Sequence, residues 1–312
     1  MILGRYRPFH DWLLKRFGER VFKICLDAGF TCPNRDGSKA SGGCTFCDLA
    51  GSGARHIETS LGIRHQVQQQ IQTARRRYRA EKFIAYFQAF TNTYAPVRVL
   101  KDIYDAAFCD PNVVGLSIGT RGDCVTDEVC ELIAGYKSRG PVWLELGLQS
   151  VNQSTLDRIN RAERVEDFVE ACESARKAGV DVVAHLIFGL PGDTREDCLK
   201  GVRLVNECGC RGIKIHNLYI DANAPMAEEW QRGEIQMIER EEYISWVCDA
   251  LEILDPGVLV HRLTGEASPK LHLAPQWSRE KVHLLRDIER ELERRGSYQG
   301  KALVHGETKV NF

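Results

Sequence analysis

The sequence has no apolar run approaching the roughly eighteen residues that a membrane-spanning helix needs, which excludes an integral helical membrane protein. Its N-terminal stretch, MILGRYRPFHDWLLKRFGER, lacks the basic start, apolar segment and small-residue cleavage site of a secretory signal, so a cytoplasmic location is expected. Nor is there an excess of one charge: 42 basic against 43 acidic residues leave a net charge of -1, and no bulk positive field announces nucleic acid, although a local basic patch is compatible with that balance. Internal repeats, low-complexity tracts and Pro/Ser-rich linkers are missing too, which sets aside solenoids and domains strung on flexible spacers. At 312 residues, 43% hydrophobic and 27% charged, the chain has material for one large α/β barrel with an appendix, or for two ordinary domains.

Cysteine is what the sequence has in plenty. Twelve are many for a chain expected in a reducing compartment, where disulfides are not the default reading. Eight are scattered through periodic apolar segments, where a free cysteine behaves as a small hydrophobe, and the other four crowd into Cys25 to Cys47.

Runs rich in Val, Ile and Phe alternate with segments of helical period, the signature of repeated βα units on a parallel sheet. Strands are predicted at Val21 to Asp27, Lys82 to Gln88, Val113 to Gly119, Val142 to Leu148, Val180 to Phe188 and Gly212 to Tyr219. Helices are predicted at Thr59 to Arg79, Val97 to Phe108, Asp127 to Lys137, Val165 to Lys177 and Arg195 to Glu207. Right-handed crossovers of this kind give an open barrel or a doubly wound sheet, and either places its ligand at the C-terminal ends of the strands. After Pro225 the alternation stops. A helix near Arg240 to Leu254, a short strand at Val258 to His261 and a charged helix at Ser278 to Arg295 read as an appendix, giving a barrel over 1–224 and an extension packed on it over 225–312.

Directly after the first strand comes GFTCPNRDGSKASGGCTFCD, where Cys32, Cys44 and Cys47 stand as C-x11-C-x2-C. Pro33, Asn34, Asp36, Gly37, Ser38, Gly42 and Gly43 are turn formers, so the segment is free to wrap around something compact. An x2 spacing turns two thiolates to one side, and the third cysteine completes a three-point mount. On a four-iron cluster three cysteines leave one iron open for chemistry. A closed zinc site using Cys25 as fourth ligand is the bland alternative, against which Cys25 lies inside the predicted strand KICLD.

The loop resembles that of the radical S-adenosylmethionine superfamily, whose usual spacing is C-x3-C-x2-C, and its wider first gap is similar to that of the Elongator catalytic subunit and its bacterial relatives. CPNRDG with GGCTFC, and further YFQAFTNTYAP, SIGTRGDC, LELGLQS, HLIFGLPGDT and HRLTGE, carry the resemblance along nearly the whole chain. It implies a partial (β/α)6 barrel with a small α-rich C-terminal extension, a 4Fe-4S cluster held by Cys32, Cys44 and Cys47, and S-adenosylmethionine cleaved to a 5′-deoxyadenosyl radical. Flavodoxin or ferredoxin is the expected electron donor. Several roles toward S-adenosylmethionine follow from the same resemblance. Phe46 is expected near the adenine, and Gln88, Thr91 and Asn92 stand in the segment that meets the methionine amino group. Ser117, Arg121, Glu145 and Gln149 are expected at the ribose and carboxylate, and Arg161 in INRAE resembles the arginine that pairs with the methionine carboxylate, a task for a planar bidentate cation. His185 and Leu190 stand at the adenine edge.

Taken singly, each polar residue at a strand end is more often structural than a ligand; their common placement favours a site. Arg75, Arg76, Arg77 and Arg79 read as a solvated helix end rather than an RNA contact. His261, Arg262, Thr264 and Glu266 make a polar loop that fits the barrel mouth and a plain surface loop alike. Three functions are therefore carried forward: radical chemistry on a tRNA base, suggested by the Elongator-like loop; radical chemistry on a small metabolite or porphyrin-like molecule, since LGLQS and LIFGLPGDT resemble oxygen-independent coproporphyrinogen dehydrogenases; and a non-catalytic zinc scaffold.

Overall fold

Strands that are apolar on both faces need cover on both, which a parallel sheet wrapped by crossover helices supplies. The computed structural model describes residues 4–51, 57, 60–265 and 267–304. In it β1 (Val21–Leu26), β2 (Lys82–Phe87), β3 (Val113–Thr120), β4 (Val142–Gln149), β5 (Asp181–Phe188) and β6 (Gly212–Asn217) lie side by side in chain order, each parallel to the next. The helices Ile63–Tyr78, Val97–Ala107, Asp127–Gly135, Val165–Lys177 and Arg195–Glu207 return the chain between them. Their buried faces, with Val67, Leu100, Ile133, Phe168 and Val202, share one core with the outer face of the sheet. The expected helix start at Thr59 lies outside the described residues. The last of these helices is begun by a reciprocal cap legible in the sequence GDTRED: Thr194 Oγ1 accepts from the Asp197 amide at 3.2 Å, and the Asp197 carboxylate accepts from the Thr194 amide at 3.0 Å.

The region beyond Pro225 is not confined to an appendix. Its short strand β8 (Leu259–Arg262) pairs in parallel with β6 and makes the sheet seven-stranded. A parallel partner needs a crossover, and the helix Arg240–Ile253, packed on Arg195–Glu207, provides it. Between β6 and this helix, β7 (Ile220–Asp221) forms a small antiparallel ribbon with β9 (His272–Ala274).

Curled but unclosed, the sheet leaves a seam between β1 and β8, the strands at its two edges. The N-terminal helix Phe9–Phe17, which the sequence reading did not assign, packs against both of them. Phe9 stacks on His261 with ring centroids 3.8 Å apart and meets Trp143 edge-on at 5.0 Å. With Leu13, Val21, Ile84, Val183 and Leu259 these residues pack the bottom of the barrel, where Phe9, Leu13 and Val21 form the lower end of the cavity.

Candidate active site

The loop after β1 is folded by its own backbone. Arg35 N and Asp36 N donate to Cys32 O, Gly43 N donates to Asn34 O at 2.8 Å, and Cys47 N donates to Cys44 O at 2.9 Å, the tight turn that an x2 spacing allows. Gly42 and Gly43 both take φ of 82°, and a Cβ on Gly43 would stand 2.7 Å from Arg35 Nε, so the loop needs glycine there twice over. The Arg35 guanidinium donates to the carbonyls of Cys47 and Asp48, at 3.3 and 2.5 Å.

Across from this loop, the turn after the helix Gln153–Arg158 holds Asn160 at φ 52° and Ala162 at φ 46°, conformations costing about 1–3 kcal/mol each for residues with a Cβ. Several contacts enforce them. Asn34 Nδ2 donates to Asn160 O at 2.5 Å, Asn160 Nδ2 donates to Gly43 O at 2.8 Å, and Arg121 donates to the carbonyls of Arg161 and Ala162, both at 2.9 Å. The strained turn carries Arg161 under Cys44: its guanidinium lies 3.8 Å from Cys44 Sγ, donates to Gly147 O at 2.7 Å and pairs with Glu163 at 2.5 Å. Arg161 Nε is a buried donor with no hydrogen-bond partner among the described residues. Arg121 is clamped by Asp123 through two bonds at 2.9 and 2.7 Å; burial pushes the Asp123 carboxyl up, but Arg121 and Lys39 hold it at about 2. Arg121 thus braces the turn.

A cavity of 540 Å³ lies between loop and turn and runs down into the barrel. At its floor each of β1 to β6 sends in a polar or charged side chain that meets Glu145 from β4 or its partners. Glu145 is fully buried; Lys23 from β1 reaches it at 2.6 Å and His185 Nε2 from β5 at 2.8 Å, while Ser117 from β3 and Lys214 from β6 also bond it. Lys214 donates further to Tyr86 Oη of β2 at 3.1 Å, and Lys23 Nζ stands 4.8 Å from the Tyr86 ring centroid. Against the penalty of burial, the two lysines hold the Glu145 carboxyl well below the usual range. Burial draws Lys214 down to about 7, opposed by Glu145 and reinforced by Lys23 and Arg262.

Three histidines share this interior. Burial, and then Lys214, brings His185 down to about 4; burial also holds His216 and His261 well below 6.5. All three are neutral when folded and free to protonate when unfolded, so between pH 4 and 6.5 the unfolded chain binds more protons and stability must rise with pH. For His185 alone the shift corresponds to about 3 kcal/mol. Asp193, pushed by burial to about 6, works in the opposite sense. The expected result is a urea midpoint that climbs steeply from pH 4 to 6.5 in protein free of iron; a flat profile would contradict the neutral state of the histidines.

Of the residues expected at the site, Cys32, Cys44, Cys47, Phe46, Gln88, Thr91, Arg121, Glu145, Gln149, Arg161 and His185 line the cavity. The structure does not bring the other three to its wall. Ser117 is buried behind Glu145, the Asn92 amide is used on the carbonyls of Ala89 and Gly119, and Leu190 packs in an apolar cluster with Ile187, Leu218 and Met226. Phe46 touches that same cluster from the cavity side. Cys25, on β1, lines the same cavity, but its thiol donates to Gln88 Oε1 at 3.4 Å and is pushed up by burial, which keeps it protonated and a poor metal ligand. Of the residues expected in a polar loop, His261 and Arg262 lie on β8 and line the cavity, Thr264 after it is buried against Asn217, and Glu266 lies outside the described residues.

The donor set suits an iron-sulfur cluster: three thiols line one cavity, N–H donors from Asn34 (3.5 Å) and Arg161 (3.8 Å) point at Cys44 Sγ, and an unpartnered guanidinium N–H lies buried beside them. Comparison with known proteins agrees. The radical SAM superfamily pattern matches residues 32–205, and the Radical_SAM C-terminal domain pattern matches 210–294. This chain belongs to the radical SAM superfamily. It is therefore an enzyme whose cofactors are a 4Fe-4S cluster and S-adenosylmethionine, and one that draws its electron from a reductant, which sets aside the zinc scaffold. It is 41% identical over 300 residues to the Bacillus subtilis protein YtqA, covering 95% of this chain and 92% of that one. A shorter likeness, 28% identity over 154 residues, covers 48% of this chain and 28% of a tRNA uridine(34) acetyltransferase of Methanocaldococcus infernus. Among solved structures, the Methanocaldococcus infernus Elp3 with its N-terminus deleted shares the fold at TM-score 0.68 and 18% identity, covering 89% of this chain and 64% of that one. Among the described residues no helix is long and apolar enough to cross a membrane.

Sequence reasoning missed Lys23, Tyr86, Lys214 and His216. A usable signal was present: KICLD and GIKIHN each set a charge inside an otherwise apolar strand, which is tolerated only when a partner waits on a neighbouring strand.

Proposed function

We propose that Cys32, Cys44 and Cys47 hold the 4Fe-4S cluster, that Arg161 receives the carboxylate of S-adenosylmethionine, and that the enzyme modifies a tRNA base. The observation that carries the first two assignments is the strained turn, which spends several hydrogen bonds to keep one arginine against Cys44 with a buried N–H unspent. When bound, the cluster supplies the electron that splits S-adenosylmethionine into methionine and a 5′-deoxyadenosyl radical. The chain does the rest. Asn34 and Arg161 donate to the Cys44 sulfur, Phe46 lies between the cysteines and an apolar wall where an adenine would be shielded, and Phe9 and Trp143 pack the lower end of the barrel. The tRNA reading is supported by the shared segment with the archaeal tRNA uridine(34) acetyltransferase and the common fold with Elp3. A cytoplasmic location and a flavodoxin or ferredoxin donor fit that chemistry. Cations in excess on the cavity floor favour a second reading, a small acidic metabolite.

Anaerobic reconstitution with iron and sulfide, followed by dithionite and S-adenosylmethionine, is expected to yield 5′-deoxyadenosine. A cell line lacking the gene is expected to lose one modified tRNA nucleoside present in its parent. An unchanged nucleoside profile would overturn the tRNA reading and leave the metabolite one standing.

A further inference from the structure

The charges lining the cavity divide into two groups. Those near the cysteine loop are accounted for: Arg121 is held by Asp123, Arg161 by Glu163 and Cys44, and Arg35 by two carbonyls of the loop. On the opposite side, β1, β6 and β8 bring in Lys23, Lys214 and Arg262 against one carboxylate, Glu145. Both lysines bond that carboxylate, which leaves nothing for Arg262.

Arg262 is not a stray surface side chain. Its backbone is registered against Lys214 across the β6–β8 ladder. The residues that follow it are fixed: Leu263 O accepts from Tyr243 Oη at 3.0 Å, and Asn217 Oδ1 accepts from Thr264 Oγ1 at 3.1 Å and from the Gly265 amide at 2.8 Å. Leu263 and Thr264 are both buried, so the strand end cannot swing. Yet among the described residues the half-buried guanidinium of Arg262 has no hydrogen bond and no ion pair, and neither has the imidazole of His216 beside it on β6, whose ring meets only His185 at 5.6 Å. A guanidinium fixed on a rigid strand, facing a cavity, with its fork of donors idle, matches the geometry of an oxyanion.

We propose that Arg262, with His216 as a hydrogen-bonding neighbour, is the anchor for an acidic group of the substrate, a carboxylate or a phosphate ester. The inference rests on the radical reading of this same cavity and narrows its substrate to an acid. The anchor stands across the cavity from Arg161, so the substrate's acid and the S-adenosylmethionine carboxylate have separate arginines. Lys23 and Lys214, which share the single carboxylate of Glu145, leave a net positive field without offering a competing contact.

The test is calorimetric titration of the wild-type protein and of Arg262→Gln and Arg262→Lys with inorganic phosphate, uridine 5′-monophosphate, succinate and uridine. At least one acid is expected to bind wild type, to weaken by roughly tenfold or more in Arg262→Gln, as losing a charged hydrogen-bond partner does, and to recover in part in Arg262→Lys. Uridine is expected to show no such difference. Phosphate and the nucleotide responding without succinate identifies a phosphate ester; succinate alone identifies a carboxylate. Acids that bind wild type and Arg262→Gln equally, or that do not bind wild type, overturn the proposal. Should Arg262→Gln fail to fold, phenylglyoxal labelling of wild type replaces it: Arg262 must be shielded by the binding acid, and equal labelling with and without acid counts against the anchor. Titrations run before and after cluster reconstitution, with 5′-deoxyadenosine assayed on the same samples, separate the two claims, since failure of the radical reading appears in the nucleoside and failure of the anchor in the heat of binding.

Discussion

Cys44→Ala is expected to abolish iron content after anaerobic reconstitution and with it all 5′-deoxyadenosine, while Cys25→Ala keeps most of both. The contrast follows from where the two thiols sit. Cys44 receives N–H donors from Asn34 and a charged one from Arg161, which leave its sulfur placed as an acceptor; Cys25 donates its own proton to Gln88 and is pushed up by burial. Iron analysis and the nucleoside assay, done on both variants alongside wild type, read the outcome directly. Equal loss from the two would mean that Cys25 belongs to the ligand set and that the three-cysteine mount is wrong.

The second large effect is expected at the cavity floor. Glu145→Gln keeps the shape of the side chain but leaves two lysines facing one another, and breaking a buried ion pair from one side costs about 3–5 kcal/mol. Lys23, partly exposed, can turn its ammonium toward water, whereas Lys214 has no such exit. Lys214 escapes only by shedding its proton, so the loss of stability should deepen as the pH is lowered. Urea unfolding of Glu145→Gln and of the double variant Glu145→Gln/Lys214→Met checks this: the second substitution should recover part of the loss. A single variant as stable as wild type would show that the network carries no net charge interaction.

How much was legible beforehand differs between fold and site. The six leading strands and the five helices between them stand within a few residues of where their periodicity puts them, because Val-, Ile- and Phe-rich runs buried on both faces leave little choice. β8 was seen as a strand but not as a member of the barrel, since Leu259–Arg262 is short and half polar and its pairing is decided by a crossover helix that sequence alone leaves unattached. The N-terminal helix FHDWLLKRF went unassigned because its apolar face is matched to a seam that exists only once both sheet edges are in place. At the site the three cysteines and most of the strand-end residues meet in one cavity. Asn92 and Leu190 fall behind its wall because they stand in the loops beyond β2 and β5, where no strand alternation tells which way a side chain points. Glu145 was singled out from the sequence as a ligand, and its actual engagement by Lys23 and Lys214 comes from strands distant in the chain, a pairing no linear pattern displays.

The seam between β1 and β8 has a consequence for synthesis. The residues that fill it are synthesised long before their seats: Pro8 pairs with Val260, and the Arg7 amide donates at 2.8 Å to Gln299, 292 positions later. Until β8 is made the aromatic face of the opening helix lacks one of the two strands that it packs on, and the seam stands open to solvent and to wrong partners. A nascent chain halted before Leu259 should thus expose part of Phe9 and Trp12 as a chaperone-binding surface, and the arrival of β8 would be the event that covers them.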